Sequence, residues 1–103
     1  MACTNTSILA RFVEERRRAK YVTRHTLACL TRQGAEELAR RLAAATEIAA
    51  RRVQVNLVEE KMVVEFEVPD RELLAAWLKK NSSHYDWLLR VELESEGGRF
   101  VPA

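Results

Sequence analysis

The chain has 103 residues, 48% of them hydrophobic and 31% charged, with a formal net charge of +2. A domain of this size buries somewhat over about 60% of its unfolded surface, so it needs neither a disulfide framework nor a structural metal to fold. Its longest apolar runs are too short to cross a bilayer, and residues 1–6 lack the charged start and apolar core of a signal peptide, so a soluble, cytoplasmic protein is expected and a membrane protein is not.

Charge is unevenly spread. Residues 1–52 carry 11 Lys and Arg against 5 Asp and Glu, and residues 53–103 carry 6 against 10, which makes the halves +6 and −4. Such asymmetry fits an acidic partner, or more plainly a basic half set against an acidic half within one fold or across a dimer. The two cysteines, Cys3 and Cys29, have no metal-ligand spacing and read as free thiols.

In chain order, residues 7–19 place Ile8, Leu9, Phe12 and Val13 on one helical face, with Ser7 as an N-cap and Glu14 four residues before Arg18. The basic run Arg16, Arg17, Arg18 and Lys20 could meet phosphates, although Arg is common throughout the chain. Residues 20–27 are rich in β-branched and aromatic types and predict a first strand. Thr31 can then cap a long helix in which Ala35, Leu38, Ala39, Leu42 and Ala49 keep helical spacing, with Glu47 and Arg51 as a late i,i+4 pair. Val53, Val55 and Leu57, and then Met62, Val64, Phe66 and Val68, alternate with more polar residues, the pattern of a hairpin turning near residues 59–61. Pro69 ends the second of these strands and Asp70 can cap a helix whose buried stripe is Leu73, Leu74, Trp77 and Leu78, with Asn81 closing it in a left-handed conformation. A fourth strand follows from Trp87, in which Trp87, Leu89, Val91 and Leu93 are assigned to the core and Leu88, Arg90, Glu92 and Glu94 to the other face. Gly97 and Gly98 release residues 97–103 as a tail.

The order strand, helix, strand, strand, helix, strand predicts an α+β, ferredoxin-like βαββαβ sandwich over residues 20–96: a four-stranded antiparallel sheet with both helices on one face, preceded by an N-terminal helical extension over residues 1–19. The segments YVTRHTLACLT at 21–31 and MVVEFEVPDRELLAAW at 62–77, with the Ala- and Glu-rich helix between them and the closing strand, resemble a group of small ferredoxin-like bacterial proteins of unknown function that includes nickel-binding members. In that group a strand runs into "APD" or "VPD" and a helix, which Glu67, Val68, Pro69 and Asp70 match. The resemblance covers about residues 20–94 and rests on structural motifs, a strand end, a proline and a cap. It implies the fold and a capacity of the group for metal, and transfers no ligand positions.

Chemistry-bearing residues are few. If His25 points away from the helices, it converges with Glu65 on the neighbouring third strand, and with Cys29 just beyond, as a loose Ni²⁺ or Zn²⁺ site; the plainer reading is a strand histidine hydrogen-bonded to a neighbour. His84 and Asp86 share a loop where polar groups can meet a ligand, or simply make a turn. An open sheet face of Gln54, Asn56, Val63, Glu65, Glu67, Leu88, Arg90, Glu92 and Glu94 is too acidic and too poor in aromatics for RNA stacking, so nucleic acid is disfavoured. The expected protein is a homodimeric binding protein for a small ligand or transition metal, with no required cofactor. The alternatives are a dimeric α+β barrel enzyme using His25 or His84 as base, and an interaction module using the basic N-terminal helix.

Overall fold

The computed structural model describes residues 18–103. The expected N-terminal helix and Cys3 lie outside the described residues, except that Ala19 already belongs to the first strand. Elements follow as β1 (Ala19–Thr26), α1 (Arg32–Ala44), β2 (Ala49–Asn56), β3 (Lys61–Val68), α2 (Arg71–Lys80), β4 (Trp87–Val91), β5 (Leu93–Glu96) and β6 (Arg99–Pro102). Strands β1 to β4 form an antiparallel sheet in the order β2-β3-β1-β4, and β5 with β6 forms a separate two-stranded sheet. The molecule is therefore α+β with a four-stranded antiparallel sheet and two helices, an arrangement compatible with a ferredoxin-like sandwich.

Local chemistry sets the element ends. Thr31 accepts the Gly34 amide at 3.0 Å and so caps α1. A side chain at Gly34 would press on that hydroxyl, since its Cβ would lie 3.2 Å from Thr31 Oγ1. Asp70 caps α2 by accepting the Leu73 amide at 2.7 Å, just beyond the Pro69 that ends β3. The α2 C-terminus differs from expectation: Asn81 has φ −93°, and the left-handed residue is Ser82 at φ 53°. Between β2 and β3, Asn56 accepts the Glu59 amide and Glu60 turns left-handed, an Asx-type reversal in place of Asn-Gly.

Helix α1 ends at Ala44, earlier than its helical pattern predicts. The expected Glu47–Arg51 helical pair does not form; Arg51 pairs instead with Glu67 on β3 at 3.1 Å. Residues 49–56 make an edge strand whose ladder to β3, with a bulge between Ala50 and Arg52, satisfies their backbone groups, and Ile48 enters the core. Pairing between strands outweighs the helix propensity of the Ala-rich run.

The core lies on one face of the sheet. Tyr21 stands opposite Phe66, Thr23 opposite Val64 and His25 opposite Met62, and all of these are buried. Leu42 of α1 and Leu74 and Leu78 of α2 join the same cluster, so both helices cover this face. Strand β4 presents the opposite side from the one expected. Leu88 pairs with Thr23 and is buried at 7% exposure, while Leu89, paired with Val22, is 57% exposed. The run Trp87, Leu88, Leu89, Arg90, Val91 has apolar residues at both parities, so its own pattern does not choose a face; the ladder to β1 and the Arg71 guanidinium, which donates to the Leu88 carbonyl at 3.1 Å, choose it. Beyond Gly98 the chain forms β6, a strand where a tail was expected.

Among the described residues no helix is long and apolar enough to cross a membrane.

Candidate functional site: a cavity between the helices and the central strands

His25 sits at the centre of the arrangement. Its alternation with Tyr21 and Thr23 on β1 turns it toward the helices, where it is 1% exposed. An imidazole buried so far must satisfy both nitrogens or cost several kcal/mol, on the order of 2–7 without a partner. Both are satisfied: Nε2 lies 2.8 Å from Thr23 Oγ1, and Nδ1 lies 2.7 Å from the His84 carbonyl oxygen. A carbonyl only accepts, so Nδ1 carries the proton and donates it, while Nε2 accepts from the Thr23 hydroxyl. Burial pushes the His25 pKa below its ordinary 6.5, an effect partly opposed by the His84 carbonyl and the Asp86 charge. The ring is neutral at pH 7, with no lone pair left for a substrate proton or a metal.

The structure separates His25 from the ligands expected to join it. Strand register places Glu65 opposite Val22 and Arg52, on the face away from the helices, where it meets Lys20 at 3.7 Å. The sheet itself lies between His25 and Glu65, because successive residues of a strand face opposite ways and His25 is matched with Met62. Cys29 is a free thiol, exposed in the turn after β1 at φ 56°, with its amide donating to the Glu60 carboxylate. His84 and Asp86 also do not act together. The His84 backbone carbonyl serves His25 while its side chain is exposed, and the Asp86 carboxylate accepts from Thr26 Oγ1 at 2.6 Å and Arg24 Nε at 3.1 Å. Those two hydrogen bonds hold the Asp86 carboxyl below the usual carboxylate range, the Thr26 hydroxyl contributing most. Asp86 thus staples the loop to the end of β1. Among the described residues no group of three or more His, Cys, Asp or Glu is placed to hold a metal ion.

Beside His25 opens a cavity of about 410 Å³, within the range of roughly 300–1,000 Å³ usual for small-molecule pockets. His25, Met62 and Phe66 form its floor on the sheet, and Leu38, Leu42, Trp77 and Leu78 form its walls on the two helices. Trp77 is half-buried, and its indole donates to Glu47 Oε2 at 2.8 Å, joining α2 to the segment after α1 and closing one side. That bond, with lesser help from the Thr46 hydroxyl and Lys80, holds the Glu47 carboxyl below the ordinary value.

Besides His25 on the floor, the polar groups of the lining are Arg41, Glu47, Lys80, Asn81 and Ser83 at the rim. Arg41 and Lys80 stand in the last turns of α1 and α2, where a cation offsets the partial negative charge of a helix C-terminus. With Glu47 between them, the rim carries little net field. The cavity can therefore select by size and apolar contact. Sequence reading named Leu38, Leu42, Phe66, Trp77 and Leu78 as core residues but missed the space between them. Its wall residues come from two helices, and only the packing of those helices shows whether they touch.

No protein-family model matches the chain, and neither a search of curated proteins nor one of solved structures finds a significant match.

Proposed function

We propose that this chain is a ferredoxin-like binding protein that holds one small, mainly apolar molecule in the cavity between α1, α2 and the central strands, without changing it chemically. The observation that carries this reading is the cavity of about 410 Å³, lined by aliphatic and aromatic side chains over a histidine whose hydrogen bonds are already made. A divalent metal has no part in the proposal, since His25 has both nitrogens engaged and Glu65 lies across the sheet.

Octanoate and 1-octanol test it, titrated into the full chain carrying Trp87→Phe so that Trp77 reports from the cavity wall. Both probes should give a saturable change in Trp77 fluorescence, and their affinities should agree within about tenfold, or ~1.4 kcal/mol, because the mixed rim gives a carboxylate little advantage. Adding Ala44→Phe, which puts a ring at the exposed mouth, should weaken both. No saturable change with either probe, or binding undiminished by Ala44→Phe, overturns the proposal.

A further inference from the structure

We infer that the outer edge of β2 takes up an extended peptide whose residues alternate between apolar and acidic. Strand β2 ends the sheet, so N–H and C=O groups along its outer side point to solvent, and such a row pairs readily with an added strand. The bulge between Ala50 and Arg52 confines regular pairing to residues 52–56. At the opposite edge β4 has five residues, and the Arg71 guanidinium already engages its Leu88 carbonyl at 3.1 Å. Of the two edges, β2 is the open one.

Core packing stops short of this edge. Val53 and Val55 stand opposite Val64 and Met62 and so point to the helix side, yet Val55 is 44% exposed and Leu57, just past the strand, 38%. Both border a groove of about 240 Å³ between β2 and α1, which Val53, Ala35 and Ala39 also line. The two alanines are too short to fill it from the helix. A strand laid antiparallel on β2, at the usual spacing of about 5 Å, carries every second side chain into this groove.

Charge selects the alternate side chains. On the open face Arg52 is exposed and stands opposite Glu65, but Glu65 meets Lys20 at 3.7 Å, and Arg32 at the groove rim is paired with Glu36 at 3.2 Å. Gln54 and Asn56 complete the open-face side of the edge. Arg52 thus gives that side a positive charge, and an acidic residue across from it is favoured. A second copy of β2 fits poorly, because two-fold pairing would gather Arg51 and Arg52 of both chains at one junction, where like charges oppose each other.

Two end-capped octapeptides test it with the full chain, one alternating valine with glutamate and one alternating valine with lysine, each titrated while backbone amide signals are followed by NMR. The glutamate peptide should shift the signals of residues 52–57 saturably and slow hydrogen exchange there, and the lysine peptide should bind at least about fivefold more weakly. Arg52→Glu should reverse that preference. Val55→Lys, which turns a charge into the groove from an exposed position, should weaken both peptides with an unchanged circular dichroism spectrum; if it does not fold, Arg52→Glu at the surface decides alone. No saturable shift at millimolar peptide, equal affinity for the two peptides, or shifts centred on β4 or the open face overturns the proposal. So does self-association through β2, seen as the same shifts when the protein alone is concentrated.

Discussion

The two faces of the four-stranded sheet are made by the same strands and both contain valine, leucine and aromatic residues, yet they stand in opposite energetic regimes. On the face under the helices, Thr23, Val64 and Phe66 are each 0% exposed and His25 is 1% exposed. Across the sheet, Leu89 is 57% exposed and the polar groups form partly exposed ion pairs, Lys20 with Glu65, Arg51 with Glu67 and Arg24 with Asp86. Water reaches such pairs and screens them, so each adds little to stability. Among the described residues the covered face buries two polar side chains, Thr23 and His25, and they bond each other. Polarity is inexpensive on the open face and confined to one closed network on the other, so equal substitutions should have unequal consequences.

The largest contrast comes from truncating an apolar residue on each side. Phe66→Ala empties the centre of the core above β3 and should cost about 3–5 kcal/mol. Leu89→Ala, on the open face of β4, should cost under about 0.5 kcal/mol, when both variants are followed by chemical denaturation. A loss above about 1 kcal/mol for Leu89→Ala under those conditions would mean that its own chain covers the open face, and the contrast would fail.

A smaller effect separates the polar groups. Thr23→Val keeps the volume on β1 but removes the hydroxyl that donates to His25 Nε2, leaving a buried acceptor without a partner. That penalty is about 1–3 kcal/mol. On the open face, Thr26→Val removes a hydroxyl that bonds Asp86 and Lys61 in solvent, where water replaces it. Denaturant midpoints for the two variants should differ in that order; equal losses would show that the His25 network is accessible to water.

Much of this organisation is legible in the sequence, and the exceptions have physical causes. Thr31, Pro69 and Asp70 mark element ends because their signals are local: a hydroxyl or carboxylate reaching an amide three residues on, and a ring that lacks an N–H. Met62 to Val68 alternate cleanly and their face is readable. In Tyr21 to Thr26 both parities mix polar with apolar residues, so whether His25 faced core or solvent was open, and with it the expected convergence with Glu65. The same ambiguity in Trp87 to Val91 reversed the assignment of β4. Helix α1 was overextended because Ala43 to Arg52 contains no helix breaker, and only β3 across the sheet claims residues 49–56 for a strand. For the cavity, residue types were legible and relative placement was not.

The smallest predicted effect, the pH dependence of the core network, follows from the sign of the His25 shift. Burial lowers its pKa in the folded state below the ordinary 6.5. At pH values between the two pKa values the unfolded chain binds more protons at this site, so stability rises with pH, is fully present above about 6.5, and declines as pH falls through that value. One proton is taken up, so the loss between about pH 6.5 and about pH 5.5 cannot exceed about 1 kcal/mol however far the folded pKa is depressed. The groups facing the ring act in the same window without reversing the sign: Thr23 and the His84 carbonyl are uncharged, and the Asp86 carboxyl, held low by Thr26 and Arg24, stays ionised there. An NMR titration of the His25 Cε1 proton should give a midpoint below 6.5, and His25→Gln, whose amide can still donate toward the His84 carbonyl, should flatten the stability slope between those two pH values. A midpoint at or above 6.5 would show that the ring is hydrated in the folded state, and the sealed face would then be no drier than the open one.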